Sequence, residues 1–200
     1  MKIDFYKVSE TVIVARNWYT DSELQLIWGE LDKICRPDIM QDEKTTNSSK
    51  MSDGSYVKKG HGIFLDELYL NDRSASEILK LNNKIFDRDF LNEAIKVDRS
   101  FTHIRNSKRD STLLNYYEDG HKYNKHWDSS IFTACLTLWR EPKQFIGGRF
   151  LIEENDFDVR SNDMVIFPGY IMHQVTQIEM NDNHTPWKSG RYSIANFINY

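Results

Sequence analysis

The stretch "DMVIFPGYIMHQVTQIE", residues 163–179, contains two apolar runs rich in β-branched and aromatic residues, broken at Pro168 and Gly169. Short runs of that composition, ended by turn residues, are strand signals. The same punctuation continues outward. It is seen in "FTHIR" (101–105), "STLLNYY" (111–117), "IFTACLTLW" (131–139), "GRFLIEE" (148–154) and "FDVR" (157–160) on one side, and in "RYSIANFIN" (191–199) on the other. With the two runs of the opening stretch, this predicts eight strands over residues 100–200. That number fits a jelly roll, in which two facing antiparallel sheets leave room for a small ligand. The final "NFINY" reads as the end of a sheet or as an edge able to pair with a second copy.

Residues 1–99 carry a mixed pattern. "DFYKVSETVIVARNWY" is strand-like, and Thr20 and Glu23 stand in a capping-box relation ahead of Leu24, Ile27, Trp28, Leu31 and Ile34 at helical spacing. The spacing predicts a helix over Asp21 to Cys35. Ser74 and Glu77, again three apart, predict a second helix through Ile78, Leu79, Leu81 and Ile85. Between the two lies "MQDEKTTNSSKMSDGSYVKKGHG" (40–62), a polar loop long enough to serve as a lid over a site, with Lys50, Lys58 and Lys59 read as solvated surface lysines. The expected architecture is a single domain over 1–200. It is an all-β core with flanking helices (α+β), its jelly-roll catalytic core at 100–200 resting on mixed strand and helix support at 1–99.

The 200 residues are 40% hydrophobic and 28% charged, the balance of a folded globular chain, and the net charge of −4 supplies no sequence-wide basic field for nucleic acid or an anionic membrane. "VIVA" is too short for a signal-peptide core or a membrane span, so a cytoplasmic location with no membrane partner is expected. Cys35 and Cys135 lack paired spacing and read as buried, reduced thiols. Composition leaves the oligomeric state open.

Within "YEDGHKYNKHWDSS" (117–130), His126 and Asp128 sit at i and i+2, which on extended backbone points both side chains to one face. Two imidazoles and one carboxylate on one side of an octahedron form the ligand set of non-haem Fe(II) oxygenases, with three positions left open. His173, opening its strand after a turn, supplies the second imidazole. His61, His103, His121 and His184 lack such a setting and read as surface or hydrogen-bonding histidines. A 2-oxo acid bound at an open metal position needs a cation for its far carboxylate. Arg191 offers a planar fork, and Ser193, two residues on, adds a hydroxyl on the same face. Trp127, between the two ligands, is expected to point away from them and pack.

Taken together, "YEDGHKYNKHWD", "GGRFLIEE", "DMVIFPGYIMHQV" and "GRYSI" resemble the prolyl-4-hydroxylase-like branch of the 2-oxoglutarate and Fe(II)-dependent dioxygenases, over roughly Ser111 to Tyr200. The resemblance implies a double-stranded β-helix core, with His126, Asp128 and His173 as iron ligands and Arg191 with Ser193 on the distal carboxylate of 2-oxoglutarate. It further implies Tyr117 lining the co-substrate pocket, Tyr123 as the aromatic ahead of the metal motif, and Thr137 in the place of a polar donor to the co-substrate. The implied reagents are Fe(II), 2-oxoglutarate and O2, with L-ascorbic acid binding as a family trait. The implied reaction is hydroxylation of a C–H bond, foremost of a prolyl residue in a protein or peptide, with release of succinate and CO2. A free amino acid or other small molecule is the alternative substrate, and a non-catalytic jelly-roll binding module the alternative class. The spacing from His173 to Arg191 is longer than usual for the family, which implies an inserted hairpin tip.

Overall fold

A computed structural model describes residues 3–9, 11–46, 48–107 and 109–200. The N-terminal strand-like stretch folds as a hairpin of β1 (Asp4–Ser9) and β2 (Val12–Arg16), with Glu10 outside the described residues. Helix α1 (Asp21–Ile34) follows, its start fixed by the expected capping box: the Thr20 hydroxyl accepts from Glu23 N while the Glu23 carboxylate accepts from Thr20 N. The polar loop that follows is not structureless. Gln41 bridges Gly62 and Lys50 bridges Tyr56, and the segment ends in β3 (Lys58–Lys59) and β4 (His61–Phe64). Asn47 lies outside the described residues. Three short helices complete this half: α2 (Leu65–Leu68), α3 (Glu77–Asn82) and α4 (Arg88–Val97). The cap of α3 is Ser76, whose hydroxyl accepts from Leu79 N, and not Ser74.

The remaining strands are β5 (Arg109–Tyr117), β6 (Lys122–His126), β7 (Phe132–Leu138), β8 (Phe145–Gly147), β9 (Phe150–Ile152), β10 (Asn155–Asp156), β11 (Asp163–Pro168), β12 (His173–Val175), β13 (Ile178–Met180) and β14 (Arg191–Asn199). Two of the eight expected strands are corrected. "FTHIR" lies in a 3-10 helix, Arg99–Asn106, because Phe101 and Ile104 are buried three apart and Asp98 caps the turn by accepting from Ser100 N. "FDVR" forms no strand; the short β10 precedes it.

The strands form a seven-stranded sheet, β1-β2-β11-β7-β14-β5-β4, facing a five-stranded sheet, β10-β9-β12-β6-β3, with β13 and β8 paired separately. This is the jelly roll expected from the strand count. The middle of the large sheet, β2, β11, β7 and β14, is buried on both faces, which is why these strands read as near-continuous apolar runs. Alternate residues divide between two cores. Ile13, Leu136, Met164, Ile166, Tyr192 and Ile194 pack with Ile27, Leu31, Ile78 and Leu91 of the helices, whereas Val12, Val14, Cys135, Val165 and Phe167 meet Phe150, Ile152 and Val175 between the sheets. Strand β14 pairs with β5 on one side and β7 on the other, so the C-terminal run is central and not an edge. Cys35 and Cys135 are buried and free, as expected. No helix among the described residues is long and apolar enough to cross a membrane.

Candidate metal centre and co-substrate pocket

His126 ends β6 and His173 opens β12, and the antiparallel register places them directly opposite one another, with ring centroids 4.2 Å apart. Each imidazole is fixed through Nδ1, which lies 2.8 Å from Asn124 O in His126 and 2.9 Å from Ile171 O in His173. A carbonyl only accepts, so Nδ1 carries the proton and Nε2 is left with its lone pair. Asp128 lies just past the end of β6. Its backbone N donates to Gly169 O at 2.8 Å, and its Oδ2 accepts from the Thr133 hydroxyl at 2.6 Å. Gly169 allows this approach: a Cβ there would fall 2.2 Å from Ser130 O.

The donor atoms of His126, Asp128 and His173 all lie within 4.8 Å of one another, with His173 Nε2 3.5 Å from Asp128 Oδ2. Two neutral nitrogen donors and one oxygen donor converging from one side fit an octahedral Fe(II) with open positions. Burial pushes His126 down to about 3, reinforced by His173; burial likewise lowers His173 and raises Asp128. Both imidazoles are therefore neutral at physiological pH, the form that ligates a metal.

Of the other expected residues, Tyr123 lies beside the triad and the rest lie on β5, β7 and β14. Tyr123 stacks on the His126 ring at 3.7 Å, which makes it a support for the ligand. Across the large sheet, Asn115, Ser193 and Thr137 are register partners on β5, β14 and β7 and form one buried polar row; Tyr117 and Arg191 are partners in the next row. Arg191 is 1% exposed. Its Nη2 donates to Thr137 Oγ1 at 2.9 Å, so the expected polar donor is tied to this arginine. Arg191 Nε and Nη1 have no partner among the described residues. Burying a guanidinium with free donors is unfavourable unless an anion joins it, so the arrangement fits a carboxylate. Ser193 Oγ lies 3.2 Å from Cys135 Sγ. The long segment ahead of Arg191 carries β13 and a turn whose Trp187 stacks on Tyr116.

Several features escaped the sequence reading. Lys58, expected at the surface, is 1% exposed: its Nζ donates to Thr46 Oγ1 at 2.9 Å and Asn115 Oδ1 at 3.2 Å, and burial pulls it down to about 8. Trp127 is 60% exposed and does not pack; it lines a cavity of about 640 Å³ with His126, Asp128, Lys50, Phe64 and Phe197. Thr133 gave no signal within an otherwise apolar run. Among the other histidines, His103 Nδ1 meets the Tyr200 hydroxyl and His121 Nδ1 accepts from Glu118 N.

The sequence of residues 112–199 matches the 2OG-Fe(II) oxygenase superfamily. The second half of the chain is a 2OG-Fe(II) oxygenase domain. The oxygenase is thus a dioxygenase-type enzyme, and the family's reagents are Fe(II), 2-oxoglutarate and O2. Among solved structures, a Pseudomonas putida prolyl-4-hydroxylase is similar in fold, with a TM-score of 0.64 at 10% identity, covering 96% of this chain and 94% of that one. A viral collagen prolyl hydroxylase from Paramecium Bursaria Chlorella virus-1, solved with 2-oxoglutarate, matches with a TM-score of 0.55 at 13% identity over 95% and 96% of the two chains. The carbocyclase SnoK from nogalamycin biosynthesis gives 0.55 at 9% identity over 95% and 80%. At these identities the likeness is one of fold. No curated protein matches the oxygenase in sequence.

Proposed function

We propose that this oxygenase hydroxylates a prolyl residue within an extended protein or peptide segment. The observation that carries the reading is the cavity of about 640 Å³ that opens on His126 and Asp128, walled by Ser49, Lys50 and Val57 of the polar loop and by Phe64, Trp127 and Phe197. Exposed Trp127 gives a flat apolar face against which a stiff proline-containing chain can lie. Structural likeness to two prolyl hydroxylases supports the choice.

In this reading His126, Asp128 and His173 hold Fe(II), with Nδ1 of each imidazole kept on its carbonyl and Asp128 steadied by Thr133. Arg191 clamps the distal carboxylate of 2-oxoglutarate, while Thr137 and Ser193 present hydroxyls and Tyr117 and Tyr123 exclude water. Burial raises both tyrosines, so their phenols stay neutral beside the dianion. Fe(II), 2-oxoglutarate and O2 together supply the oxidative decarboxylation that yields succinate and CO2 and delivers an oxygen atom to the substrate. The protein's part is to orient, neutralise charge and keep the site dry.

A small-molecule substrate is the second reading, favoured by the SnoK likeness, since that carbocyclase shares the barrel. Incubation with Fe(II), 2-oxoglutarate and a library of proline-containing peptides, read by mass spectrometry and succinate release, decides between them. We expect peptides that gain one oxygen on proline. Succinate release stimulated only by free amino acids or other small molecules, with every peptide unmodified, moves the assignment to the second reading.

A further inference from the structure

A second cavity, of about 390 Å³, is bordered by Arg191. Its walls are Thr137, Trp139, Lys143, the Gly147–Gly148 turn, Phe150 and Arg191 itself, with Arg149 and residues 156–159 nearer the rim; none of the three metal-binding side chains contributes. Gly147 and Gly148 have φ of 70° and 61°, and a Cβ on Gly148 would lie 3.1 Å from Arg191 Cδ, so this wall is kept free of side chains at the arginine. A carboxylate-binding arginine at the closed end of a pocket measures the length of its ligand. Here Arg191 shares its cavity with Trp139 and Lys143.

The charges along the cavity are unequal. Arg149 is neutralised by Asp156 at 2.5 Å and Asp158 by Arg160 at 2.6 Å. Arg191 keeps two unpartnered donors, and the Lys143 ammonium rests over the rings of Phe145 and Trp139 at 4.5 and 4.9 Å with no carboxylate in salt-bridge reach among the described residues. The surplus positive charge is therefore carried by Arg191 and Lys143. Apart from the through-space pull of Glu141, this cation rests on aromatic faces, and it gains from an incoming carboxylate, which forms the stronger, charge-assisted contact. Arg191 already acts on Lys143 through space: burial first and this guanidinium next lower the lysine.

We propose that the co-substrate pocket continues past Arg191 into this cavity, with Lys143 as a second cationic contact, so that the oxygenase accepts a 2-oxo diacid one methylene longer than 2-oxoglutarate. This rests on the reading of Arg191 as the partner of the distal carboxylate. An added methylene displaces the carboxylate toward Lys143 and into free volume, where a closed pocket would force a clash.

The test is an anaerobic titration of the Fe(II)-loaded protein with 2-oxoglutarate and, separately, with 2-oxoadipate, followed by the visible charge-transfer band of the chelated 2-oxo acid. In the wild type the two dissociation constants should agree within about tenfold, a difference set by a single methylene and one charged contact. In Lys143→Met the ratio of the 2-oxoadipate constant to the 2-oxoglutarate constant should rise about tenfold, and Lys143→Arg should restore it. Lys143 is exposed, and circular dichroism verifies that each variant is folded. A wild-type ratio beyond that range, or a ratio that Lys143→Met leaves unmoved, overturns the proposal. Absence of a band with 2-oxoglutarate itself, in folded wild-type protein, overturns the parent reading as well.

Discussion

The two ends of the proposed co-substrate pocket are built on opposite principles. At the metal end every polar atom not needed for ligation is already engaged: both Nδ1 atoms are tied to carbonyls and Asp128 Oδ2 holds the Thr133 hydroxyl. At the far end Arg191 is buried with only Nη2 engaged, and two of its donors wait. The first arrangement fixes the orientation of ligands before anything binds; the second stores an unmet electrostatic demand that only an anion meets. One end is selective through geometry, the other through charge.

The contrast can be broken most severely at Asp128. Asp128→Ala removes the single anionic ligand, and we expect loss of both Fe(II) binding by calorimetry and succinate formation; substantial retained turnover would overturn the metal site. At the other end, Arg191→Gln keeps a planar donor but removes the charge. The 2-oxoglutarate dissociation constant in the anaerobic band titration should rise about a hundredfold, in line with the few kcal/mol of a buried charged contact, while Fe(II) affinity stays near that of the wild type. Loss of Fe(II) affinity in that variant would mean that the two ends are not separable. The smallest expected effect is at Thr133→Val, which keeps the shape but frees Asp128 Oδ2. Fe(II) affinity should fall about tenfold, the lower range for such supporting contacts, with the 2-oxoglutarate constant of iron-saturated protein little changed.

Much of this was legible in the residues, for a physical reason. Strands β7, β11 and β14 are covered on both faces, so their apolar runs are long and unbroken, and the capping box of α1 is a local signal needing no tertiary context. His173 could be found because an open coordination set demands a third ligand. What failed depended on context. Phe101 to Arg105 has strand composition, yet spacing Phe101 and Ile104 one 3-10 turn apart buries both. Trp127 was assigned by strand alternation, but β6 stops at His126, so alternation no longer governs the residues beyond it. Lysines are almost always solvated, and nothing local to Lys58 announces that β3 pairs with β6 and carries the ammonium inward to Asn115. Lys143 likewise gains its meaning only from a cavity assembled by distant strands.

The central position of β14 has a consequence for how the chain comes to be folded. This strand arrives last among the fourteen and must enter between β5 and β7, while β2, met early in synthesis, pairs with β11 through partners such as Val14 and Val165. A nascent chain that has not yet delivered residues 191–199 presents two unpaired edges flanking an empty slot, both apolar and both open to another strand. The jelly roll therefore closes only once residues 191–199 have been delivered, through contacts distant in sequence, which is the slow class of folding. Because Arg191 travels on that same strand, the proposed carboxylate clamp is assembled in the step that seals the sheet. Premature termination anywhere before β14 would leave an aggregation-prone intermediate, not a weakened enzyme.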